Sequence, residues 1–191
     1  MKDRIEKFSG MTVALHWGLA VAMIAMLVFG LVLEDMERGE FKSALMWWHK
    51  GLGVALLAFA AWRLVWRLGN GMPEAVAHMP GWQEMASKAT HWFLLLGTLF
   101  MPVSGIMLSL GNGRAIDVLG LFTIPAGAKN EALHEIGEVI HGAGGKLLIA
   151  AILLHVVGAL KHHVVDRDGT MRRMLGARVD AQAVVAQGES R

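Results

Sequence analysis

Histidine is the residue of this chain best suited to chemistry, and four of its nine histidines are regularly spaced. His141 and His155 stand fourteen residues apart with an apolar run between them. On an α-helix that separation rises about 21 Å and turns about 1400°, some 40° short of four full turns, so both imidazoles face the same way. His134 and His162 continue the same seven-residue lattice outward, with Leu148 at the rung without a histidine. Each step drifts only about 20° around a helix. A neutral imidazole binds metals through one ring nitrogen, and histidine exchanges protons near neutral pH. A ladder of such groups on one helix face predicts metal, redox or proton chemistry.

The elements that position the ladder follow from composition. The chain has 191 residues, 54% of them hydrophobic, and its mean hydropathy is +0.46. That predicts a membrane protein rather than an ordinary soluble domain. There is no cysteine, which excludes disulfides, thiolate metal sites, iron–sulfur clusters and thioether-linked haem. The formal charge of +2, with no dense Lys/Arg stretch, argues against nucleic acid as a partner.

Apolar runs predict four transmembrane helices. The first covers Met11 to Leu33, 23 residues without a charged side chain, and is followed by Glu34-Asp35-Met36-Glu37. It is too long for the apolar core of a signal peptide and lacks a small-residue cleavage site. The second runs from Leu45 to about Val65, and the third from about Lys88 to Leu110 with Pro102 inside it. Residues 34–44, 68–85 and 112–129 are expected as loops. The fourth helix starts near Glu131 behind a capping Asn130 and runs to about Val164. The expected fold class is all-α: an integral-membrane four-helix bundle over residues 1–175, with a flexible tail over 176–191.

Orientation is read from the basic residues. Arg38, Lys42, Lys50, Arg114, Lys129 and Lys146 fall on one side, and the other twelve of the eighteen Lys and Arg on the side of both termini. The positive-inside rule therefore predicts both termini in the cytoplasm. Each histidine then has a depth. His16 and His155 lie toward the inner surface, and His49 and His141 toward the outer one, so depth alone pairs His16 with His155 and His49 with His141. His91, at the start of the third helix, reads as interfacial or pocket-lining, and His78 as a solvated loop residue.

A lone intramembrane histidine can be an interhelical hydrogen bonder, but matched pairs suit a ligand. Zinc normally takes four ligands, and no carboxylate lies at the matching depths. His134-Glu-Ile-Gly-Glu138 lacks the second histidine of a zinc-protease motif. A b-type haem needs two axial ligands, which two imidazoles supply. Gly53 and Gly145 follow His49 and His141 by four residues, on the same helix face, and would make room for a flat macrocycle.

The same residues carry a family resemblance. Met46-Trp-Trp-His-Lys-Gly-Leu-Gly53 with Trp62-Arg-Leu-Val-Trp-Arg67 resembles the second helix of bacterial di-haem cytochromes b561. Leu15-His-Trp17 resembles the start of their first helix. His141 to His155, followed by Ala159-Leu-Lys-His-His163 and Asp166-Arg-Asp168, resembles their fourth helix. The likeness covers roughly residues 5–175 in order and spacing. It implies four helices holding two haem b groups, with His16/His155 and His49/His141 as the iron ligands.

The resemblance further implies transmembrane electron transfer in a bacterial inner membrane. Some family members oxidise superoxide at the periplasmic face and reduce ubiquinone. Others are cytochrome b subunits that serve a dehydrogenase or hydrogenase, so a redox protein partner stays open. Lys50, Lys146 and His134 are the candidate residues at an outer anion site, because cations around a cleft concentrate an anion. His162, His163 and Arg63 are the candidates for a ubiquinone site at the inner surface. A haem-free four-helix transporter or metal-binding protein is the reading from another class.

Overall fold

The computed structural model describes residues 3–4, 6–73, 75–76 and 79–179. His78 and residues 180–191 of the expected tail lie outside the described residues. The chain order is α1 (Gly10–Asp35), α2 (Glu40–Asn70), α3 (Gly81–Gly111), β1 (Ile116–Val118), β2 (Phe122–Ile124), α4 (Glu131–Lys161), a π-helical turn (His162–Asp166) and α5 (Thr170–Met174). Among the described residues, four helices, the last taken through Asp166, are long and apolar enough to cross a membrane.

Local chemistry explains where these helices begin. Ser9 accepts the Thr12 backbone N–H at its Oγ, and Asn130 accepts the Leu133 N–H at its Oδ1, each satisfying a free donor of the first turn. The chain leaves the π-helical turn through Arg167 and Gly169, both with positive φ. Asp168 then accepts the Thr170 N–H. Most long apolar faces remain uncovered: Val21, Leu153 and Val157 are each more than 60% exposed. That pattern suits helices whose solvent is hydrocarbon.

The structure corrects several expected boundaries. α2 starts at Glu40 rather than Leu45, and α3 at Gly81 rather than near Lys88. Polar residues continue a helix beyond its apolar stretch because backbone hydrogen bonds, not hydropathy, define it. The helical fold carries one small addition that was not expected. The expected loop over 112–129 contains an antiparallel hairpin pairing Ile116 with Ile124 and Val118 with Phe122. Its turn places Leu119 and Gly120 at positive φ, and the Leu121 N–H is donated to the Val118 carbonyl. Both central residues of such a turn need φ above zero, a conformation costly for leucine. Leu119 offsets that strain by packing on α2, where a Cβ at Gly51 would lie 2.8 Å from its Cδ2.

The chain forms two compact units, and each long helix contributes a segment to both. The first unit holds Met1–Gly18, Arg63–Leu94 and Ala150–Arg191; the second holds Leu19–Trp62 and Leu95–Ile149. In the first, Asp3 binds the buried Arg67 at 3.0 Å and accepts from Thr12 and from the Ser9 N–H. In the second, α3 and α4 meet backbone to backbone. A Cβ at Gly137 would lie 2.5 Å from the Leu108 nitrogen, and one at Gly111 would strike the backbone of His134.

Candidate functional site

Each unit carries one pair of histidines. In the second, the His49 ring of α2 and the His141 ring of α4 have centroids 6.2 Å apart and planes at 90°. They face a cavity of about 540 Å³ that Gly53 and Gly145 also line. His141 is oriented by α3: its Nδ1 lies 3.1 Å from the Met101 carbonyl and 3.1 Å from Ser104 Oγ. The Ser104 hydroxyl proton is donated to the Met101 carbonyl, so both neighbours accept, and His141 is the donor at Nδ1. Its Nε2 is left with a free lone pair. Glycines give the rings room. A Cβ at Gly105 would lie 3.1 Å from His141 Cε1, and one at Gly30 would lie 3.5 Å from His49 Cε1.

In the first unit, the His16 ring of α1 and the His155 ring of α4 also have centroids 6.2 Å apart, with planes at 61°. The surroundings differ. Arg63 Nη2 lies 3.0 Å from His16 Nδ1, and the His91 ring stands 5.1 Å from that of His155. Ser87 Oγ is 3.4 Å from His91 Nδ1.

This spacing would accommodate a metal between two rings. Two metal–nitrogen bonds of about 2 Å, with about 1 Å from each nitrogen to its ring centre, separate trans imidazoles by about 6 Å. Direct hydrogen bonding between the rings would draw them closer. In addition, His49 Nδ1 is buried without a hydrogen-bond partner. A buried polar atom left unpaired at a cavity wall points to a group that completes the site. The donor set is nitrogen only, and a cavity of about 540 Å³ lies beside His49 and His141, so the residues there fit a haem better than a bare ion.

The family model for prokaryotic cytochrome b561 matches residues 7–177. The chain belongs to the prokaryotic cytochrome b561 family. Two Escherichia coli (strain K12) relatives are cytochrome b561 homolog 2 and homolog 1. Homolog 2 is 28% identical over 174 residues, covering 90% of this chain and 92% of that protein. Homolog 1 is 26% identical over 178 residues, covering 91% and 99%. A Yersinia pestis relative, a probable superoxide oxidase CybB, is 23% identical over 170 residues, covering 89% of this chain and 96% of its own length. Membership implies b-type haem and electron transfer in a bacterial membrane.

The other sequence-derived candidates of this cytochrome b561 separate into distinct settings. Lys50 and Lys146 line the cavity of the second unit, as does Arg114. Lys50 donates to Ser109 Oγ at 2.8 Å, whereas Lys146 is 70% exposed and 4.0 Å from Glu34. His134 also lines the cavity, and its Nδ1 is 3.2 Å from the Leu108 carbonyl, which ties α4 to α3. In the first unit, His162 Nδ1 lies 2.6 Å from Asp168 and 3.2 Å from Asp166. His163 is exposed. Arg63, expected at a quinone, has its guanidinium on His16.

Sequence reasoning missed Gly30, Ser104, Gly105 and the contact of His91 with His155. Depth arguments rank residues along the membrane normal but not around a helix. The small pair Ser104-Gly105, three residues after Met101 on the helix lacking a paired histidine, was the signal available for α3.

Proposed function

We propose that this cytochrome b561 carries electrons across the bacterial inner membrane, taking them from superoxide on the periplasmic side and delivering them to ubiquinone. The carrying observation is the pair of ring-to-ring separations, 6.2 Å in each unit. On this reading His16 and His155 hold one b-type haem, His49 and His141 hold the other, and both termini are cytoplasmic. When bound, each haem supplies one-electron chemistry at its iron. Each superoxide loses one electron and leaves as dioxygen. Two such electrons and two protons convert one ubiquinone to ubiquinol.

The chain's own groups support the two ends of that reaction. Lys50 and Arg114 at the cavity of the second unit favour a small anion there. His134 holds the α3–α4 contact that shapes the cavity wall. At the first unit, His162 is hydrogen-bonded to Asp168 through Nδ1, so its Nε2 is the ring atom left to exchange a proton with a quinone oxygen. The likeness to a probable superoxide oxidase adds support for the donor.

The test is direct. Superoxide is generated beside the purified, oxidised, haem-loaded protein with a ubiquinone analogue, and haem absorbance and quinol formation are followed together. Rapid haem reduction and quinol accumulation, both abolished by added superoxide dismutase, are expected. Haem that stays oxidised under superoxide yet is reduced by dithionite would reject superoxide as donor. That outcome would favour a cytochrome b subunit fed by a protein partner, a second reading that the exposed apolar hairpin tip at Leu121 and Phe122 also suits.

A further inference from the structure

The hairpin between α3 and α4 has two unlike sides. Ile116 and Val118 are buried, and Ile116 lines the cavity of the second unit. At the tip, Leu121 is 79% and Phe122 56% exposed. From Ala115 to Ala128 the only charged side chain is Asp117. An apolar tip with so little charge around it suits a partner surface or an apolar solvent. Which of the two it meets depends on how far along the helices the tip stands.

α2 measures that depth. It begins with the polar Glu40, Lys42 and Ser43, passes Trp47 and Trp48, and then reaches Gly51. Both tryptophans are exposed, with their rings 4.9 Å apart. Tryptophan collects at the membrane–water interface, and Gly51 lies about 4.5–6 Å beyond this pair toward the bilayer interior by helical rise. The Leu119 nitrogen is 3.1 Å from where a Gly51 Cβ would stand, so the turn meets α2 at that inner level. The helices that carry the hairpin agree. Gly111 closes α3 against the His134 backbone, and the rise from His134 to His141, whose ring pairs with His49, is about 10 Å. The hairpin therefore folds back along the helices from the α3–α4 junction rather than standing out into water. A water-soluble partner would have to reach a tip that lies no further out than the tryptophans.

The backbone of the turn suits that level. The Gly120 N–H is donated to Asp117 Oδ1 at 2.7 Å, and the Leu121 N–H to the Val118 carbonyl at 3.0 Å. Donors satisfied within the turn avoid the cost that bare N–H groups incur where water is scarce. We propose that the β1–β2 hairpin is a lipid anchor: Leu121 and Phe122 insert into the bilayer interface beside Trp47 and Trp48, and so hold Ile116 against the cavity of the second unit. Interfacial segments of this kind bury their apolar side about 5–10 Å into the headgroup and acyl boundary. The anchoring does not depend on haem ligation or on the electron donor.

The experiment places the full-length protein in nanodiscs of phosphatidylcholine and phosphatidylglycerol and probes the tip from both solvents. A lipid-dissolved aryl diazirine is photolysed with the wild type, and its adducts are mapped by mass spectrometry. Adducts on Leu121 or Phe122 are expected beside those on Leu153 and Val157, which are exposed on α4. The chain has no cysteine, so Leu121→Cys and the solvent-exposed control Lys129→Cys each offer a single thiol to a membrane-impermeant maleimide. Leu121→Cys should react at least about tenfold more slowly than Lys129→Cys, because apolar surroundings suppress the reactive thiolate, and the two rates should become equal in denaturing detergent. A smaller difference in nanodiscs overturns the anchor and leaves the tip open to a protein partner. Diazirine adducts on Leu153 and Val157 with none at the tip overturn it as well. If Leu121→Cys fails to fold, the wild-type diazirine map decides alone.

Discussion

Gly105 offers the sharpest test of how the His49–His141 site is held. An alanine Cβ there would lie 3.1 Å from His141 Cε1 and 3.4 Å from its Nδ1. An ordinary contact is several tenths of an ångström longer, so the ring must tilt or slide. It is anchored on the side that would have to give, by Nδ1 hydrogen bonds to Met101 and Ser104 at 3.1 Å each. Moving it forfeits part of those bonds, at about 1 kcal/mol each, or forces an off-rotamer ring, at about 0.5–1.5 kcal/mol. Against this, Gly→Ala in a helix interior gains about 1 kcal/mol. The two nearly cancel for folding, so the fold should survive within about 1 kcal/mol of the original stability. Ligand geometry has no such compensation. Disturbing the partner that orients a metal-binding histidine costs about 10–100-fold in affinity, and Gly105→Ala should lose haem from one site in that proportion. The assay is the haem-to-protein ratio and the reduced-minus-oxidised spectrum during titration with haem. Gly69→Ala, on exposed α2 surface with nothing within 4 Å of its Cβ, is the control and should load fully. Full loading of Gly105→Ala with an unaltered spectrum at both sites would refute the reasoning.

Replacing either His49 or His141 by alanine should remove one haem and leave the other, and replacing His16 or His155 should remove the complementary one; quantitation by pyridine haemochrome and spectral form checks this, and loss of both haems from a folded single variant would contradict independent sites. Asp3 concerns stability with pH. Burial raises its carboxyl, but the Ser9 N–H, the Thr12 hydroxyl and the Arg67 guanidinium together hold it below its ordinary 3.8. A depressed folded pKa stabilises at pH above the unfolded value, and that share is lost as pH falls through the folded one. Asp3→Asn should therefore cost about 1–3 kcal/mol near pH 7 by leaving a buried cation poorly paired, and the melting curves of variant and wild type in detergent should converge as the pH falls below 3.8; a gap constant with pH would contradict it. His162→Ala should slow ubiquinone reduction while both haems remain, and Asp168→Asn, which weakens the orienting bond at 2.6 Å, should slow it less; unchanged turnover in His162→Ala would remove that residue from the quinone site.

The sequence by itself determined the helices and the depth of each histidine. Hydropathy fixes which stretches favour hydrocarbon, and helical rise then converts residue number into depth, so His16 and His155 share a level and so do His49 and His141. Asn130 as a helix cap was equally legible, because capping is local chemistry within three residues. The family pattern was legible for the same reason, being carried by spacing along single helices.

Only the tertiary structure decided what stands around each ring. That Met101 and Ser104 orient His141, that Arg63 reaches His16, and that His91 packs on His155 depend on the rotation of one helix about its axis against another. Small residues set that rotation by letting backbones approach, as at Gly111 and Gly137, and a hydropathy profile is blind to rotation because lipid and protein interiors are about equally apolar. The hairpin escaped notice for a different reason. Three-residue strands are too short to show a period of two, and its turn relies on a leucine at positive φ that is tolerated only because Gly51, distant in sequence, leaves room for its side chain.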